Sequence, residues 1–148
     1  MYTINKLHGI MFHHFHNKNE MPQGQGSLTS DKFENIIKFI GLNRILNPED
    51  WLEIQNNKRK NKNYVCITFD DALLSQYKIA LPILEKYNLK AFWFIYSSVF
   101  NGFLEEFEIF RKFRCTYFKS FDLFYDKFIE EYSNFNFPKI ELNNFHKK

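Results

Sequence analysis

The chain has 148 residues, 45% of them hydrophobic and 25% charged, which suits one compact folded domain and excludes a disordered segment. Its net charge of +3, with a pI near 8.8, speaks against a nucleic-acid binder, which concentrates more positive charge on one face. No stretch reaches the ~20 apolar residues of a membrane span, and the N-terminus lacks the apolar run and cleavage site of a signal peptide, so the expected compartment is the cytoplasm.

In chain order, residues 9–15 read as a short strand, followed by a loop punctuated by Pro22, Gly24 and Gly26. Phe33, Ile36, Ile37 and Ile40 recur at helical spacing, with Thr29 as N-cap and Gly41 as the stop. Arg44-Ile45-Leu46 suggests a short strand. Asn47-Pro48-Glu49-Asp50 then opens a second helix, with Asn47 as cap and Pro48 at the first helical position. The basic run from Lys58 to Lys62 is expected to be a solvated loop, and a nucleic-acid module would rest on it alone.

Tyr64-Val65-Cys66-Ile67-Thr68-Phe69 is the clearest strand. Its nearly continuous apolar character suits a parallel strand buried on both faces. A third helix is expected from about Ser75 to Tyr87, kinked or broken by Pro82, and residues 90–96 form another buried strand. Strand, helix, strand in succession predicts a parallel βαβ unit. Two further helices are expected between Leu104 and Tyr132. Their stripes, Phe103, Phe107 and Phe110, then Phe121, Phe124, Phe128 and Tyr132, are read as core, with a sugar-stacking platform as the alternative. With 19 Phe in the chain, the core must be Phe-heavy. Cys66 falls in a strand and is expected in the core; it forms no CxxC pair with Cys115, and the sequence does not call for a disulfide.

The chemistry-bearing spot is Thr68-Phe69-Asp70-Asp71-Ala72. Ligand sites in α/β folds form at the carboxyl ends of parallel strands. Neighbouring residues there point different ways, so one carboxylate can bind a cation while the other faces a water as base. A cation would keep both ionised and lower the pKa of a bound water. The alternative is that one of the pair simply caps the following helix.

The wider string resembles the polysaccharide deacetylase family, the NodB-homology or carbohydrate-esterase type. The resemblance lies in Thr68-Phe69-Asp70-Asp71-Ala72, then Ala80-Leu81-Pro82-Ile83-Leu84-Glu85-Lys86-Tyr87, then Leu89-Lys90-Ala91-Phe92-Trp93-Phe94-Ile95, with Met11-Phe12-His13-His14 upstream. It implies an α/β fold, an incomplete (β/α) barrel with parallel strands and flanking helices. It implies a hydrolase acting on carbon–nitrogen, non-peptide bonds of an acetylated polysaccharide or glycan precursor. By resemblance Asp70 matches the general base that deprotonates water, and Asp71 matches a ligand of a divalent metal, zinc or a similar ion. His13 and His14 are expected to line the pocket or support it, with metal ligation as the alternative. His14 and His16 would share one strand face and His13 the other; His8 and His16 are expected to be exposed.

Two features depart from the family pattern. Ala72 stands where the family has glycine, a mild change unless the backbone there needs positive φ. The family's downstream His-x-x-x-His ligands and general-acid histidine are not found, since the only histidine after Asp71 is His146. A catalytic zinc takes about three protein ligands. Residues 1–148 therefore read as the N-terminal portion of a deacetylase domain, truncated before the second metal-binding motif and inactive or weakly active alone. A C-terminal half encoded separately would be its partner. The rival reading is a non-catalytic glycan-binding or interaction remnant.

Overall fold

The computed structural model describes residues 7–17, 20–57 and 63–135. The chain divides into two compact units, Met1–Glu105 and Glu106–Lys148.

The first unit is built on an open, three-stranded parallel sheet in the order β1-β2-β3, with β1 His8–Phe12, β2 Val65–Phe69 and β3 Ala91–Trp93. This is the α/β arrangement of parallel strands with flanking helices that the sequence implies, and three strands do not close a barrel. β2 lies in the middle, hydrogen-bonded on both sides, so its apolar run is buried almost throughout. Gly9 suits a close approach: a Cβ there would sit 3.2 Å from Thr68 Cγ2 on the neighbouring strand, so that side chain would have to shift to admit it.

Helix α1, Ser30–Ile40, is capped as its sequence dictates. Thr29 Oγ1 accepts from the Lys32 N–H at 3.3 Å, and Gly41, at φ 96°, closes the helix by donating its N–H to Ile37 at 3.1 Å. Residues 44–46 are not a strand. Leu42–Arg44 is a 3-10 turn and Ile45 makes an isolated bridge to Val65, because the tight turn leaves too little extended chain to pair further. Helix α2, Pro48–Asn56, starts at the proline, but Asn47 does not cap it through its side chain. Its Oδ1 instead accepts from the Lys90 N–H at 3.1 Å, tying the start of α2 to the segment entering β3.

Pro82 has the expected consequence. A π-helical turn, Gln76–Ala80, precedes α3, Leu81–Lys86, and the Leu81 N–H bonds back to Gln76 O. Proline has no N–H to continue the ladder, and the helix widens just ahead of it. The strand expected at residues 90–96 is shorter and less buried. β3 is an edge with one pairing partner among the described residues, and Phe94 and Ile95 beyond it are more than half exposed.

The core between sheet and helices is aromatic. Phe12, Phe15, Phe33 and Phe69 interlock, with Phe33 set edge-on to Phe12 at 4.8 Å and to Phe15 at 5.1 Å between centroids. Trp93 stacks on Phe69 at 4.4 Å. Cys66 is buried, which pushes its thiol pKa up, and both it and Cys115 are free.

Glu34 joins α1 to the end of α3. Its Oε1 accepts from Lys38 at 2.7 Å, from Lys86 at 3.0 Å and from the Tyr87 hydroxyl. These donors, Lys38 first, pull its pKa from 4.5 to about 2. A depressed folded-state pKa means the contribution is present above the ordinary value and is lost as pH falls through the folded one. The urea midpoint of Glu34→Gln should therefore lie below that of the unaltered chain at neutral pH, with the gap closing between about pH 4.5 and 2. A gap that stays constant with pH would contradict this linkage.

Among its described residues the second unit holds two helices, α4 Glu106–Tyr117 and α5 Phe121–Asn134, the latter capped by Ser120 Oγ on the Leu123 N–H at 3.2 Å. Phe124 is its buried centre, with Phe118 at 5.2 Å and Phe110 at 5.6 Å. Arg114 lies over the Phe121 ring, 4.5 Å from the centroid. Of the two stripes read as core, only Phe124 is buried: Phe103, Phe107, Phe110 and Phe128 are exposed, Phe107 at 84%. No helix among the described residues is long and apolar enough to cross a membrane.

Candidate active site

β2 ends at Phe69, and the chain turns at once. Asp71 and Ala72 both adopt left-handed backbone, at φ 67° and 49°. Two successive non-glycine residues in that region carry a steric cost. This is the condition under which Ala72, standing in place of glycine, matters. Ala72→Gly removes a clash between Cβ and backbone at the expense of a floppier unfolded chain. The expected net gain is about 0.5–1 kcal/mol in unfolding free energy, read as a raised urea midpoint at unchanged slope. A lowered midpoint would show that the turn is unstrained.

β1 stops at Phe12, so the histidines that follow leave the strand instead of alternating across it. The expected sharing of one strand face by His14 and His16 does not occur. His13 and His14 stack on each other, centroids 4.0 Å apart. His13 Nε2 meets Asp71 Oδ2 at 2.8 Å, a contact between the tips of adjacent strands that are 58 residues apart in sequence. Each side chain is about a third exposed, so the pair sits at the surface of the sheet's carboxyl end. His16 is half-buried rather than exposed, with Nδ1 2.8 Å from Ser27 Oγ. Burial lowers its pKa, and the nearby positive Lys32 adds to this. His8 is likewise half-buried, within β1.

Asp70 is half-buried, and its carboxylate has no hydrogen-bond partner among the described residues. Neither aspartate caps the helix that follows. That task falls to Gln76, whose Oε1 accepts from the Leu73 N–H at 3.1 Å. Gln76 is fully buried, and its Nε2 donates to the carbonyls of Asp70 at 2.6 Å and of His13 at 2.8 Å. Sequence reasoning passed over this residue, because a glutamine beside a helix start looks like solvated surface. The only hint was its helical spacing from Ile79, Ala80 and Ile83.

The geometry thus brings Asp71 and His13 into contact, sets Asp70 beside them with its carboxylate unengaged, and keeps His14 against His13. A carboxylate oxygen and an imidazole nitrogen are donor types that zinc takes, and Asp71 and His13 fit as two of its ligands. His146 and the Lys58 to Lys62 run lie outside the described residues.

A sequence model of the family described as polysaccharide deacetylase matches residues 57–111, the stretch that holds Asp70, Asp71 and Gln76. No curated protein sequence matches the chain significantly. Among solved structures, IcaB from Ammonifex degensii is similar at 18% identity and a TM-score of 0.52, over 63% of this chain and 39% of that one. The Streptococcus pyogenes deacetylase PplD, solved in complex with acetate, is similar at 22% identity and a TM-score of 0.50, over 68% of this chain and 46% of that one. The chain therefore spans less than half the length of either, and neither match supports a separately encoded second half. Its parallel α/β unit has the fold of part of these proteins, and residues 57–111 are similar in sequence to the polysaccharide deacetylase family.

Proposed function

We propose that this chain carries the carboxylate pair of a metal-dependent carbohydrate deacetylase, a hydrolase that cleaves the carbon–nitrogen bond of an N-acetylated glycan and releases acetate. The observation that carries this reading is the division of labour at the β2 tip. One aspartate is held by a histidine just past the end of β1, and the carboxylate of the other has no hydrogen-bond partner among the described residues. Asp70 serves as general base, taking a proton from the water that attacks the acetyl carbonyl. Asp71 serves as a metal ligand, with His13 orienting its carboxylate or joining it on the ion. His14 packs against His13 and so stands beside the aspartate pair, in a pocket-lining role. A divalent cation such as zinc supplies Lewis-acid polarisation when bound.

The test is acetate release from a short N-acetylglucosamine oligosaccharide with added zinc, for the unaltered chain and for Asp70→Asn. Weak zinc-dependent release that disappears in Asp70→Asn supports the assignment. Measurable release that is equal in both rejects it and leaves a protein that binds glycan without using this carboxylate pair for turnover.

A further inference from the structure

Gln76 is a fully buried polar side chain to which the deacetylase chemistry assigns no task. Its amide makes three hydrogen bonds at once. Nε2 donates to His13 O at 2.8 Å and to Asp70 O at 2.6 Å, and Oε1 accepts from Leu73 N at 3.1 Å. The first carbonyl belongs to the exit from β1 and the second to the exit from β2. Both lie just past the last strand pairing, at Phe12 and Phe69. Buried carbonyls released from a ladder need donors, and a carboxamide is the uncharged head group that supplies two donors and an acceptor in one plane.

The third bond gives the arrangement a direction. Asp70 O and Leu73 N flank the left-handed dipeptide Asp71-Ala72, so one side chain brackets the strained turn at both ends. Strained backbone persists where its surroundings over-determine it. Gln76 also opens the π-helical turn, where Leu81 N–H bonds to Gln76 O one residue ahead of Pro82, so the wide turn that presents this side chain is part of the helix's own construction.

We propose that Gln76 is the positioning residue of the aspartate pair: it locks the tips of β1 and β2 together and thereby sets the contact of His13 with Asp71. What the positioned carboxylates do rests on the deacetylase reading; the coupling of the two tips does not. Gln76 touches neither Asp70 nor Asp71 through their carboxylates, and it acts through the backbone that carries them.

The test follows the imidazole nitrogen signals of the full chain by NMR. In the unaltered chain, Asp71→Asn shifts the His13 Nε2 signal because it removes that partner's charge. In the Gln76→Met background, which keeps side-chain length and removes all three hydrogen bonds, the response should fall by about half or more, as expected of residues sharing one network. The His16 signal, set by Ser27, should not change. An undiminished His13 response in folded Gln76→Met overturns the proposal. Should that variant not fold, the unaltered chain decides. Side-chain amide protons of Gln76 that exchange about tenfold or more slowly than those of exposed Gln55 support the proposal, and equal rates overturn it. Loss of coupling in Gln76→Met, alongside acetate release indifferent to Asp70→Asn, would reject the deacetylase reading and leave the positioning role standing.

Discussion

Phe33→Ala is expected to lower the unfolding free energy by about 3–5 kcal/mol, the range for emptying a fully buried phenylalanine site. Phe33 has no exposed surface, and its ring meets Phe12, Phe15 and Phe69 edge-on, the last at 6.0 Å between centroids. Rings packed from three sides on two strands and a loop cannot all move in to fill the space, so the cavity remains. A small domain is stable by only about 5–15 kcal/mol, so this one change brings the chain close to unfolding at ordinary temperature. The control lies on the same helix: Phe39 is 90% exposed, and Phe39→Ala should change stability by about 0.5 kcal/mol or less. Urea midpoints of the two variants decide the matter. Similar shifts would mean that α1 does not pack on the sheet through Phe33.

Asp70→Asn is expected to lower zinc-dependent acetate release by about 10²–10⁴-fold, the range that a positioned general base contributes. The substitution keeps size and shape, and it leaves the backbone carbonyl that Gln76 holds and the His13–Asp71 contact in place. Only the ability to accept a proton from water is removed. Glycan affinity should therefore stay within about twofold, since little binding energy is altered when uniform binding is left intact. A parallel loss of binding would place Asp70 in substrate recognition instead of proton transfer.

Both predictions draw on features visible in the residues themselves. The continuous apolar run of β2, followed directly by two acids, marks a buried strand with a site at its tip, because only a central parallel strand tolerates such a run. Thr29 and Gly41 bound α1 by local capping chemistry that needs no tertiary partner. The family resemblance around Asp70 rests on order and spacing, which are properties of the chain alone.

Other features depend on what lies nearby in space. β1 ends at Phe12 because its neighbour β2 ends at Phe69, and this takes His13 out of the strand and onto Asp71. Asn47 gives up its helix to hold Lys90, since the incoming β3 segment offers it an N–H. Phe94 and Ile95 look like core by composition, yet the strand before them is an edge, and an edge buries only what its one neighbour covers. Hydropathy patterns and capping preferences act over a few residues, so the sequence by itself determined the main helices and strands, their order and the position of the two carboxylates, but not the strand ends or the turn at residues 42–44. Which groups satisfy one another across 58 or 63 residues, as His13 does with Asp71 and Gln76 with His13, was decided only by packing, because burial demands a partner for every polar group without specifying which one.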